Sequence, residues 1–121
     1  MSQYFLSLPH DSEEEPTMAS MDQAELEQVM AAVGAFNDAL VTQGAFVTAG
    51  GLMPPSSATT VDGSGDQPVR RSGPFTTAPE YLGGFWIIEA ADEAAAVGWA
   101  EQAATALRTR VEVRALQVAP E

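Results

Sequence analysis

The chain has 121 residues, 45% of them apolar, which is enough for one compact domain spanning residues 1–121. Its formal charge of −12 disfavours nucleic-acid phosphates and anionic membranes as partners. Cysteine is absent, which removes disulfides, thiolate chemistry and sulfur-rich zinc sites.

The charge is unevenly spread. Residues 1–69 hold ten acidic residues and no Lys or Arg. All five basic residues are arginines, and all follow: Arg70, Arg71, Arg108, Arg110 and Arg114. No apolar run approaches the roughly 18 residues of a membrane span. The start "MSQYFLSLPH" lacks a basic n-region and does not read as a signal peptide, so the expected location is cytoplasmic.

"QYFLSL" (residues 3–8) is rich in β-formers and reads as a first strand ending at Pro9. An acidic loop covers about residues 9–20. A helix follows, with Ser20 and Gln23 or Asp22 and Glu25 as alternative capping registers. Leu26, Val29, Met30, Val33, Phe36 and Leu40 recur at helical spacing, and Gly44 stands where a helix would end. "AFVTAGG" (45–51) predicts a second strand. "ATTV" (58–61) and "PVRR" (68–71) flank "DGSGD" and predict a hairpin. "GFWIIE" (84–89) is the strongest strand signal. Asp92 can cap a second helix with Ala96, Trp99, Ala100, Ala103 and Leu107 on one face. "VEVRALQV" (111–118) predicts the last strand. The order β-α-β, hairpin, β-α-β implies a ferredoxin-like α+β fold: a single sheet with both helices on one face.

Several spaced motifs stand out: Leu52 and Pro54 in "GLMPP", residues 58–61, Gly73-Pro74-Phe75, Glu80 with Leu82-Gly83-Gly84-Phe85, Trp99-Ala100 and Glu112-Val113-Arg114. Together they resemble the YCII-related family, in particular its DGPF branch of small bacterial proteins. The resemblance covers about residues 3–118. It implies a ferredoxin-like domain that pairs into a dimeric α+β barrel-like assembly. The DGPF aspartate is replaced by Ser72, and the lysine that often precedes the motif glutamate by Pro79. The His–Asp pair of the family's enzyme-like branch aligns with Val33 and Ala103, neither of which titrates. The family includes a dehydrochlorinase-like enzyme, but most DGPF members have no assigned activity. Association with extracytoplasmic-function sigma factors implies a regulatory role.

His10, the only histidine, stands beside Asp11 at the end of the first strand. A His–Asp contact suits acid–base work, whereas a solvated loop histidine is the plainer reading. "HDSEEE" lacks EF-hand spacing, and no metal site is expected. No Walker, dinucleotide or zinc-hydrolase motif occurs, so no cofactor is expected. The turn-rich stretch 72–80 is the best ligand candidate: Gly73 allows unusual dihedrals, Pro74 stiffens it, and Ser72, Thr76, Thr77 and Glu80 offer hydroxyls and a carboxylate. A structural turn plugging the sheet edge is the alternative. Arg114 shares a strand face with Glu112; it could grip a carboxylate ligand, or pair with Glu112, Glu89 or a second protomer.

Strand alternation puts Phe85 and Ile87 on one face, Trp86 and Ile88 on the other, and Tyr4 opposite Phe5. The expected interface of a homodimer is a helix-free face carrying Tyr4, Trp86 and Ile88. In the rival reading Phe75 and Tyr81 fold over that face and keep the chain monomeric. Two functions are therefore open. One is a dimeric small-ligand or partner-binding module with a regulatory role. The other is an enzyme, lyase- or dehydrochlorinase-like, with His10, Asp11 or Glu80 as base and Arg114 as anion holder.

Overall fold

Two aspartates set where the helices begin. In a computed structural model, which describes residues 1–10, 22–75 and 80–117, Asp22 accepts a hydrogen bond from the Glu25 N–H at 2.8 Å and starts helix α1 (Gln23–Thr42). The Asp22 register therefore prevails over Ser20. Asp92 accepts from the Ala95 N–H at 2.9 Å and starts α2 (Glu93–Leu107). Each carboxylate satisfies an orphan donor at the positive end of a helix. α1 ends at Gln43, ahead of Gly44, and α2 ends on Arg108 in the left-handed region (φ 57°).

The strands are β1 (Ser2–His10), β2 (Phe46–Gly51), β3 (Thr59–Asp62), β4 (Val69–Ser72), β5 (Tyr81–Ala90) and β6 (Glu112–Ala115). The main sheet has the order β2-β5-β1-β6, and every pairing is antiparallel. β5 sits between β2 and β1, and β1 between β5 and β6, so each β-α-β unit is split by a strand from the other. This arrangement is compatible with a ferredoxin-like α+β fold. The expected single sheet is corrected in one respect: β3 and β4 form a separate two-stranded sheet. Among the described residues, no helix is long and apolar enough to cross a membrane.

β1 runs past its expected end at Leu8. Proline cannot donate to a ladder, and the strand absorbs Pro9 through a register shift between Leu8 and Pro9. His10 then pairs with Tyr81 of β5. It is therefore a strand residue, only 4% exposed, and the reading of a solvated loop histidine is overturned. Of the expected acidic loop, Pro9 and His10 belong to β1, and residues 11–20 lie outside the described residues.

The helices cover the face opposite to the one expected. Tyr4, Leu6, Trp86, Ile88 and Ala90 are buried in one cluster with Phe36 and Leu40 of α1 and Ala96, Ala100 and Ala103 of α2. The alanine stripe lets α2 approach the sheet closely over bulky strand residues. Phe36 meets the Trp86 ring edge-on at 5.0 Å and the Trp99 ring at 6.0 Å. The Trp86 Nε1–H donates to Asn37 Oδ1 at 2.8 Å. Tyr4, Trp86 and Ile88 are thus core residues of the protomer, which corrects their placement on an interface. The uncovered face carries Phe5, Phe85 and Ile87, all partly exposed. On α1, Val29, Phe36 and Leu40 are buried as the periodicity implies, whereas Met30 is exposed.

Removing the acceptor for the Trp86 indole should be costly, because the N–H would stay buried without its partner. Asn37→Leu is expected to lower stability by about 1–3 kcal/mol in urea denaturation. The double variant Asn37→Leu/Trp86→Phe, which removes the stranded donor, should lose less than the two single changes added together.

Candidate functional site

The turn after β4 is held on both sides. Gly73 has φ 100°, which side-chain-bearing residues rarely adopt. Its N–H donates to the Ala58 carbonyl at 2.7 Å, and its carbonyl accepts from Thr60 Oγ1 at 2.8 Å. Opposite stands a short 3-10 turn, Pro55–Ser57, braced where the Ser57 N–H and Oγ both donate to the Pro54 carbonyl at 2.9 and 2.7 Å.

Between them lies a cleft of about 470 Å³ lined by Ser56, Arg71, Ser72 and Tyr81, with the Gly73-Pro74-Phe75 turn as its wall. Phe75 is 81% exposed, so its ring is not packed over the sheet as the monomeric reading required. Ser72 closes β4 and lines this cleft. Thr76 and Thr77 lie outside the described residues.

A second cleft, about 420 Å³, lies beyond Tyr81 and is lined by Ser7, Pro9, Glu80, Arg110 and Glu112. Glu80 forms an ion pair with Arg110, both side chains well exposed to solvent. Such a pair contributes little to stability, but it occupies the carboxylate proposed as a base. Ser7 and Glu112 lie in register across β1 and β6, on the sheet face that the helices leave open.

The expected acid–base set does not assemble. His10 lines neither cleft, and Asp11 lies outside the described residues. Arg114 stands opposite Phe5 on the open face, exposed, and lines neither cleft. Among the described residues it forms no ion pair with Glu112 or Glu89. Ser72 and Arg114, each a ligand-binding candidate, thus lie on different surfaces. Sequence reading missed Ser56, Tyr81 and Arg110 as site-forming residues. Arg110 finds Glu80 across thirty positions of sequence, which no local pattern encodes.

β5 begins against the end of β1 with almost no clearance. A Cβ on Gly83 would lie 2.9 Å from His10 Cβ and 3.2 Å from the Pro9 carbonyl oxygen. The glycine permits the approach that seats His10 beside Tyr81. Gly83→Ala should therefore lower the melting temperature, by the equivalent of about 1–3 kcal/mol. Gly73→Ala should cost more than the roughly 0.5 kcal/mol of an ordinary surface change. Gly98→Ala, mid-helix with open space around it, should instead stabilise by about 0.5–1 kcal/mol. Thermal melts of the three variants check this ordering.

The chain matches the YCII-related domain family over residues 5–117, nearly its whole length. No curated protein matches it. The match spans both β-α-β units, the hairpin between them and the Gly73-Pro74-Phe75 turn: this chain belongs to the YCII-related family.

Proposed function

We propose that this YCII-related protein is a binding module of the DGPF branch that works as a homodimer and holds a small ligand beside the Ser72 turn. The observation that carries the reading is the uncovered sheet face. Phe5 and Phe85 stack there at 5.5 Å, with Ile87 beside Phe5 in register, and neither ring is sealed from water. Each 100 Å² of apolar surface withdrawn from water contributes about 2.5 kcal/mol, so a partner that covers this patch gains substantially.

A second copy suits the patch because the face carries both charge signs. The strand registers place Arg114 in the row of Phe5 and Ile87, Glu112 in the row of Ser7 and Phe85, and Glu89 opposite Gln3. A two-fold operation brings arginine and carboxylates of one copy against those of the other. Sheet-on-sheet packing of this kind gives the dimeric barrel-like assembly that the resemblance implies. The family's association with sigma factors supports a regulatory use of the module.

The enzymatic alternative finds less support. Acid–base chemistry requires a base within reach of the substrate and an anion holder beside it. Here Glu80 pairs with Arg110 in one cleft, His10 is buried outside both, and Arg114 lies elsewhere on the sheet.

Light scattering tests the assembly. The expected mass is about twice the 12.7 kDa of the chain, and Phe85→Glu should give a folded monomer. Trp86→Glu should unfold the protein instead, since that side chain is only 5% exposed within the protomer. A wild-type mass of 12.7 kDa at micromolar concentration overturns the dimer.

A further inference from the structure

The cleft at the root of the β3–β4 hairpin has a lining unlike the rest of this acidic chain. Among the described residues it presents one guanidinium, Arg71, with the hydroxyl-bearing side chains of Ser56, Ser72 and Tyr81, and no carboxylate. The net charge of −12 repels anions over most of the surface, so a lining cation without an acid beside it marks the place where a negative group meets the least repulsion. Arg71 is exposed, and among the described residues its guanidinium makes no side-chain hydrogen bond or ion pair.

The nearest competitor for that cation is Asp62, on the facing strand of the hairpin. Its carboxylate is already engaged by the Ser64 Oγ and N–H, at 2.6 and 2.9 Å. Those two bonds, first the hydroxyl and then the amide, hold the carboxyl below its ordinary range, and Arg71 adds only the smallest contribution. Among the described residues Asp62 forms no ion pair with Arg71.

The walls are set in advance. Gly73 is clamped to Ala58 and Thr60, and the turn carrying Ser56 is braced on Pro54. A site whose geometry is fixed before binding loses less entropy on taking a ligand. Pro74 and Phe75 supply an apolar side, so the lining offers both a charged grip and a surface for carbon.

We infer that this cleft is an anion subsite for a compact organic acid. The Arg71 guanidinium takes a carboxylate or phosphate group in bidentate fashion, the Ser72 hydroxyl hydrogen-bonds a remaining oxygen, Ser56 and Tyr81 wall the site, and the carbon skeleton lies against Pro74 and Phe75. A volume of about 470 Å³ suits a ligand of a few carbons. The inference deepens the binding-module reading and rests on it. It moves the anion holder from Arg114 to Arg71.

Calorimetric titration of the full chain with glutarate, glycerol 1-phosphate and the neutral diamide glutaramide tests it. At least one of the two anions should bind, and glutaramide should not. The stronger of glutarate and glycerol 1-phosphate assigns the group as carboxylate or phosphate. Arg71→Gln should weaken the anion at least about tenfold, Arg71→Lys should retain part of the affinity, and Arg70→Gln, outside the cleft, should leave it unchanged. Circular dichroism melts establish that the variants are folded. Absence of binding by both anions at about 10 mM, equal binding of the diamide, or undiminished binding by Arg71→Gln overturns the inference. Light scattering on the same samples separates the two readings. Anion binding by a 12.7 kDa species removes the dimer alone, and a doubled mass without anion binding removes the subsite alone.

Discussion

The contact on which the rest of this protein depends is Phe36 and Asn37 of α1 against Trp86 of β5. The Phe36 ring meets the indole edge-on, and the Asn37 amide oxygen takes its N–H. A buried tryptophan needs a partner for that one polar atom, and here the partner lies 49 positions away on a helix. Meeting the need fixes the rotation of α1 over the sheet. Phe36 then reaches Trp99, so the same ring also positions α2. An outer contact, the Arg108 guanidinium donating to Gln28 Oε1 at 3.1 Å, joins the two helices at the surface.

Once Trp86 is turned inward, strand alternation decides the rest of the sheet. Ile88 and Ala90 follow it into the core, with Leu6 and Tyr4 as their neighbours across β1. Phe85, Ile87 and Phe5 are left on the far face. All three are partly exposed there. That face borders the Glu80–Arg110 cleft through Ser7 and Glu112, so whatever covers the sheet also abuts that cleft. The open sheet face and that cleft are therefore neighbours on one surface, while the Arg71 cleft sits beyond Tyr81, at the hairpin.

The hairpin itself is an unusual part of the structure. All of β4 and most of β3 are exposed, and a two-stranded sheet has little stability alone. Its anchorage is local: Gly73 bonded to Ala58 and Thr60, and the braced turn over Pro55–Ser57. The turn lets the chain leave an exposed hairpin and enter the centre of the sheet, where Gly83 passes close against His10.

Much of this was written locally in the sequence. Asp92 and the stripe of Ala96, Ala100 and Ala103 specify α2 because capping and 3.6-residue periodicity act within a few residues. "FWII" specifies a strand for the same reason, and "SGPF" a fixed turn, borne out by the positive φ of Gly73. Alternation states that Phe85 and Trp86 oppose each other, but it carries no label for which of them meets the helices. That choice was made by Asn37 and Phe36, through a hydrogen bond and a ring contact between distant segments. His10 looked like a loop residue because Pro9 precedes it; only the register shift in the ladder with β5 draws it into the sheet. Arg110 meets Glu80, and Arg71 rather than Arg114 joins Ser72 and Tyr81, because strands that fold together bring remote side chains to one surface. The sequence by itself determined the elements and their order, since their causes are local; the tertiary structure alone decided the buried face and the company each charged group keeps, since those follow from contacts between segments far apart in the chain.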